Sequence, residues 1–268
     1  MYLGLPFIFL ILSIVLLVIL SLYGSNVIGN NVNIQKTSVA QKSPVENIHV
    51  ERLTEQKTSL RVIAERQGTD KGVYHKFATF YGECLEKRKN DIKLVVEMGV
   101  AQGKSLAMWR EYFPLARVVG LDIEPKQIED TYVCDGGNAD SILQALRSAD
   151  IPEKSIDLFI DDGGHFMDQQ QITWQTVWPY LAPKAFFIME DLHTSLLQNN
   201  GNQPNWDFNP EKIPTTLDIV FDMLFAKTRP PVYTQFEDIA KRVDTISLFT
   251  HFHNDPVDTS MTAVLQLQ

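Results

Sequence analysis

From residue 93 onward, short apolar runs of strand length alternate with stretches in which apolar residues recur every three to four positions. The pattern predicts strands over Lys93–Val100, Arg117–Ile123, Tyr132–Cys134, Ile156–Asp161 and Ala185–Met189. It predicts helices over Ser105–Phe113, Ser141–Ala149, Met167–Leu181 and Pro214–Lys227, the last with Leu217, Val220, Phe221 and Leu224 on its apolar side. Thr245–Phe252 and Thr262–Leu267 are two further strand-like runs with no helix between them. Alternation of this kind predicts an α/β fold: a mostly parallel sheet, helices on both faces, and an antiparallel closing hairpin. Upstream, residues 48–67 read as a charged helix. Val73, Phe77, Phe80, Tyr81, Cys84 and Leu85 recur at helical spacing, so 72–88 is expected to be one amphipathic helix packed on the core. Trp109 and Phe113 are expected in the core.

The first residues break this pattern. Tyr2 to Tyr23 carries no charge and is mostly Leu, Ile, Val and Phe. As a helix it would be roughly 33 Å long, enough to cross a hydrocarbon layer of about 30 Å. No Lys or Arg precedes it, unlike a secretory signal peptide. The expected organisation is therefore a transmembrane anchor over 1–24, a polar flexible linker over 25–47, an N-terminal helical segment over 48–92, and the α/β domain over 93–268. The expected localisation is a single-pass membrane protein, with Lys36 and Lys42 leaning the catalytic domain toward the cytosol. Asn199 to Pro214 is rich in Asn, Pro and Gly and long enough to act as a lid, with Trp206 placed to stack on a sugar ring.

Composition narrows the class. The 268 residues suffice for one domain with appendages, and the net charge is −9 with no basic run, which argues against a nucleic-acid partner. Cys84 and Cys134 form no CxxC pair and read as packing residues. Through the N-terminal helix, the expected partner is a membrane. A homo-oligomer is left open.

In a doubly wound sheet, ligands bind beyond the carboxyl ends of the strands, and polar residues gather there. After the first strand come Glu97, Gly99, Gly103 and Ser105. A P-loop is excluded by spacing, because it would need a glycine at position 98, which is Met98. A nicotinamide-type Gly-x-Gly-x-x-Gly turn is also missing. After the second strand comes Asp122, placed to hold ribose hydroxyls. After later strands come Asp161-Asp162-Gly163-Gly164-His165 and Glu190-Asp191-Leu192-His193. Each acid could also be a helix cap or turn former. Two acidic clusters on neighbouring strands repel unless positive charge lies between them. A divalent cation is the expected solution, and all-oxygen ligands favour Mg²⁺, Ca²⁺ or Mn²⁺.

Glu97-x-Gly99-x-x-x-Gly103 resembles the first motif of the class I S-adenosylmethionine-dependent methyltransferases, which implies a Rossmann-like sheet. From about Gly68 to the end, the chain resembles the metal-dependent sugar O-methyltransferases of macrolide biosynthesis, the mycinamicin and macrocin type. The likeness runs through Gly68-Thr69-Asp70-Lys71, His75, Tyr81, Met108-Trp109-Arg110, Gly120-Leu-Asp122, Asn138-Ala-Asp140, Ile160 to His165 and Met189 to Thr194. It implies S-adenosyl-L-methionine as cofactor, with Glu97, Gly99, Gly103, Ser105 and Asp161 around its methionine part. Asp122 would lie at the ribose, and Asn138 and Asp140 near the adenine. It implies magnesium (Mg²⁺) on Asp162, Glu190 and Asp191, and His165 as general base. The family usually has Ser at the position of Gly164 and often His at that of Gln169, the expected membrane anchor is foreign to it and the loop at 196–212 does not align, so the macrolide substrate does not carry over with the site. The resemblance implies methyl transfer to a hydroxyl of a sugar or glycoconjugate, with a small-molecule or glycan hydroxyl acceptor as partner; the rival is a non-catalytic, membrane-anchored scaffold with the same fold.

Overall fold

The computed structural model describes residues 59–196, 214–226, 228–229, 231–253 and 259–268. Five strands run parallel: β1 (Leu94–Met98), β2 (Arg117–Asp122), β3 (Thr131–Val133), β4 (Ile156–Asp161) and β5 (Leu181–Met189). Two more, β6 (Val243–Phe252) and β7 (Thr259–Leu267), are antiparallel to each other, and β7 pairs antiparallel with β5. The sheet order is β3-β2-β1-β4-β5-β7-β6. The expected closing hairpin is present, with its second strand inserted next to β5.

The central strands are apolar on both faces because both faces are covered. Val95, Val118, Leu158, Ile160, Phe186 and Ile188 point one way. They pack under α1 (Leu60–Gln67), α3 (Phe77–Leu85) and α4 (Lys104–Tyr112), where Trp109 and Phe113 are buried as expected. Val96, Val119, Phe159 and Phe187 point the other way, toward α5 (Ala139–Ser148), α6 (Met167–Val177), α7 (Thr216–Leu224) and α8 (Glu237–Arg242). One-residue alternation along each strand thus divides the core into two layers.

Three expectations change. The single helix over 72–88 is two pieces, α2 (Asp70–Val73) and α3, separated by Lys76 in a left-handed conformation (φ 59°). Val73 is consequently 67% exposed while Lys71 turns inward at 1%. Gly72 makes this possible, since a Cβ there would lie 2.9 Å from the backbone of Ala64 in α1. The helix expected to reach Leu181 ends at Val177, because Pro179 lacks an N–H and sits in a 3₁₀ turn over Trp178–Tyr180 that feeds directly into β5. On α7, Phe221 and Leu224 face outward, and Ile219 and Met223 are buried with Leu217 and Val220 instead.

The expectation of a membrane-anchored protein is corrected: among the described residues no helix is long and apolar enough to cross a membrane. The anchor expected over 1–24, the linker over 25–47, the start of the charged helix, the lid and Trp206 all lie outside the described residues.

Candidate functional site

The site is built at the carboxyl ends of β1, β2, β4 and β5. After β1, Gly99 adopts φ 88°, and a Cβ on it would stand 1.9 Å from the carbonyl oxygen of Asp162. Only glycine lets the β1 turn lie against the end of β4. The turn is pinned from β2: Asp122 Oδ2 accepts from Val100 N (2.8 Å) and Ala101 N (3.1 Å), and Oδ1 accepts from Glu124 N (2.9 Å). Burial works against the Asp122 charge, but these backbone donors and nearby Lys126 outweigh it and hold the carboxyl below its usual range. Gly103 (φ 76°) opens α4, and Ser105 in its first turn donates to Glu97 Oε2 at 2.8 Å.

Beneath this turn lies a buried ion cluster. The Lys71 ammonium reaches Asp162 Oδ2, Glu190 Oε2 at 3.0 Å and Glu97 Oε1 at 3.7 Å. Burial opposes its charge, yet the carboxylates of Asp162, Glu190 and Glu97 hold it firmly protonated. Burial pushes the Glu190 carboxyl up, and the neighbouring Asp162 adds to this against the pull of Lys71. Glu97 is pushed up to about 7 by burial, again against Lys71. One ammonium serves three acids, so the cluster is short of positive charge. Glu190 Oε1 and Asp161 Oδ2 are buried and have no hydrogen-bond partner among the described residues.

Beside the cluster, His165 Nε2 stands 3.2 Å from Asp191 Oδ2, and His193 Nδ1 stands 3.6 Å from Asp191 Oδ1. Both His165 (φ 60°) and Asp191 (φ 55°) take left-handed backbone angles, a strain found where side chains must be aimed. The buried Thr194 hydroxyl lies 3.0 Å from the carbonyl oxygens of both residues and ties them together. Asp162, His165 and Asp191 each offer a ligand atom within 4.8 Å of the others. With the uncompensated carboxylates around them, this donor set fits a divalent cation.

These groups border a cavity of about 750 Å³, within the range of small-molecule sites. Gly99, Ser105, Asp122, Asp161, Asp162, His165 and Asp191 line it. Burial pushes the Asp161 carboxyl at the wall up to about 7, and a cationic ligand group placed against it would favour its charged form. Glu97, Gly103 and Glu190 lie outside the lining, with Glu97 and Glu190 buried below it. Asn138 and Asp140 are exposed: Asn138 caps α5 by accepting from Ser141 N, and Asp140 sits in that helix's first turn. Past β3 the lining residues are Asp135 and Gly136. Lys71, Thr194 and His75 lie in the stretches that carry the resemblance but had no role assigned from sequence; His75 lines the cavity and has Nδ1 2.6 Å from Ser260 Oγ. For Lys71 a signal existed, because the two acidic clusters demanded a cation.

No protein-family profile matches the chain. Over 166 residues it is 30% identical to the 8-demethyl-8-(2-methoxy-alpha-L-rhamnosyl)-tetracenomycin-C 3'-O-methyltransferase of Streptomyces olivaceus, covering 58% of this chain and 42% of that protein. Over 160 residues it is 28% identical to the mycinamicin VI 2''-O-methyltransferase of Micromonospora griseorubida, covering 55% and 39%. The matched stretch thus spans about two-fifths of these curated relatives, at 42% and 39% of their lengths. Among solved structures, the MycE methyltransferase of the mycinamycin biosynthetic pathway, in complex with Mg, SAH and mycinamycin VI, superposes with a TM-score of 0.60 at 21% identity, covering 86% of this chain and 63% of that one. The chain therefore has the Rossmann-like fold of S-adenosylmethionine-dependent methyltransferases and resembles in sequence the sugar O-methyltransferases of antibiotic biosynthesis.

Proposed function

We propose that this chain transfers a methyl group from S-adenosyl-L-methionine to a sugar hydroxyl of a small glycosylated molecule, with magnesium held beside His165. The observation that carries this reading is the convergence of Asp161, Asp162, His165 and Asp191 on one cavity under the Gly99 turn. Asp162, Glu190 and Asp191 would hold the cation, and bound Mg²⁺ would supply Lewis acidity at the acceptor oxygen. The glycine turn admits the cofactor close to the backbone, and Asp161 offers a carboxylate to its cationic methionine end. Asp122 would meet the ribose while keeping its backbone partners, and Asp135 and Gly136, rather than Asn138 and Asp140, would meet the adenine.

A sugar hydroxyl ionises far above neutrality, so it must lose its proton as it attacks. His165 accepts that proton at an imidazole nitrogen, and Asp191 at 3.2 Å stabilises the imidazolium that forms. Holding acceptor and methyl donor in line can supply up to about 7–11 kcal/mol. The relatives, a rhamnosyl-tetracenomycin 3'-O-methyltransferase and a mycinamicin VI 2''-O-methyltransferase, support a glycoside over a polymeric glycan. The scaffold alternative finds no support, since the acid set is assembled around the cavity.

The test is calorimetric titration of the full chain with S-adenosyl-L-methionine, in Mg²⁺ and in EDTA, followed by mass-spectrometric screening of rhamnosides and related glycosides. Micromolar cofactor binding with Mg²⁺-dependent mass gain supports the reading. No cofactor binding in either buffer rejects it.

A further inference from the structure

Lys71 lies at the centre of the acid set without lining the cavity. Its ammonium is 1% exposed and touches one carboxylate at the cavity wall, Asp162, and two buried ones, Glu190 and Glu97. Its backbone is fixed independently of those acids: Gly72 packs α2 against α1 at a distance no side chain would permit, and His75 N donates to Asp70 O at 2.9 Å. The ammonium is therefore delivered to the acids by the fold rather than drawn in by them. Asp162 and Glu190 are also two of the three carboxylates assigned to the cation, so one fixed charge and one exchangeable charge share ligands.

We infer that Lys71 is a resident counter-ion which holds Asp162 and Glu190 in place before a divalent cation arrives and lowers that cation's affinity by competing for the same oxygens. This rests on the divalent-cation reading of the site. The physical case is one of balance. Without positive charge, three acids within reach of one ammonium, two of them buried, would repel one another and open the floor of the cavity. With Lys71 present, the floor stays ordered, and an entering cation must share Asp162 and Glu190 with an ammonium already bound. Lys71 thus acts as a positioning residue, through the carboxylates, and sets the metal concentration at which the site fills.

The test compares the full-length wild type with Lys71→Met and Lys71→Arg, using Mg²⁺ alone as the probe, by calorimetry and by thermal melting in EDTA and in Mg²⁺. Lys71→Met keeps the apolar stem and removes only the charge. The expected result is a lowered melting temperature in EDTA, recovery in Mg²⁺, and Mg²⁺ affinity raised by at least about tenfold. Lys71→Arg should stay near wild type in EDTA. A purely structural lysine would lower the melting temperature equally in both buffers and leave affinity unchanged. Affinity in Lys71→Met equal to or weaker than wild type overturns the inference and leaves the metal reading intact. Absence of Mg²⁺ binding in both proteins overturns the metal reading itself and the inference with it. Should Lys71→Met fold in neither buffer, the comparison moves to Glu190→Gln with and without Lys71→Met. Tighter Mg²⁺ binding in the double variant then supports competition, and unchanged binding overturns it.

Discussion

His165 Nε2 lies 3.2 Å from Asp191 Oδ2, and both residues hold left-handed backbone angles tied by one threonine hydroxyl. A histidine held in this way is aimed by its neighbours, so its function should be separable from cofactor binding. His165→Ala is expected to lower turnover by about 10²–10⁴-fold while leaving S-adenosyl-L-methionine affinity within a few-fold of wild type. Single-turnover kinetics and calorimetry check this pair of outcomes. Unchanged turnover removes His165 from the proton transfer.

Asp162 serves both Lys71 and the cavity. Asp162→Ala should raise the Mg²⁺ concentration needed for half-maximal transfer by more than tenfold, and added metal should restore activity only in part. A metal titration of activity measures the shift. A variant that responds to Mg²⁺ like wild type would place the cation elsewhere.

Gly99 sits at φ 88° with the Asp162 carbonyl where a Cβ would be. Gly99→Ala must distort the β1 turn or push away the end of β4. The expected loss is at least about 1–3 kcal/mol, read from urea unfolding, together with loss of cofactor binding.

Glu97 supplies a pH dependence. Burial raises its carboxyl from 4.5 to about 7 in the folded chain, against Lys71. The folded state therefore binds this proton more tightly than the unfolded state. Its contribution to stability is complete below about pH 4.5 and is lost as pH rises through about 7. Glu97→Gln should flatten the decline of metal-free stability between about pH 4.5 and 7 relative to wild type. Asp161, also raised to about 7 by burial, retains part of the slope. Denaturant melts across this range decide it, and an unaltered slope would show that Glu97 does not titrate there.

Gly164 and Gln169, two positions at which the sequence resemblance breaks, are spatially coupled. A Cβ on Gly164 would lie 2.0 Å from Gln169 Oε1. Gly164→Ala is expected to displace the flexible end of Gln169 at little cost in stability, with a coupling to Gln169→Ala at the low end of roughly 0.5–3 kcal/mol. A double-mutant cycle by thermal or urea unfolding measures it, and additive effects would separate the two positions.

Much of this architecture is legible along the chain because it depends on local periodicity. Val95-Val96, Val118-Val119 and Phe186-Phe187 are apolar in succession because both sheet faces are covered, and that pattern alone places strands between helices. Glu97, Asp122, Asp161-Asp162 and Glu190-Asp191 stand at strand ends, so parallel pairing brings them to one edge whatever the details. What periodicity could not supply was long-range placement. Lys71 stands in the sequence just ahead of the expected 72–88 helix with no role attached, and only the break at Lys76 and the close packing of Gly72 on Ala64 turn it into the acid cluster 91 and 119 residues downstream. Asn138 and Asp140 follow β3 as the motif requires, yet helix α5 claims Asn138 as its cap and turns Asp140 to solvent, leaving Asp135 and Gly136 at the cavity. The sequence by itself determined the strand order's raw material and the acids at its edge, since these follow from side chains adjacent in the chain. The tertiary structure alone decided which charges meet, because Coulombic contacts and steric clearances depend on distances in space that adjacent residues do not encode.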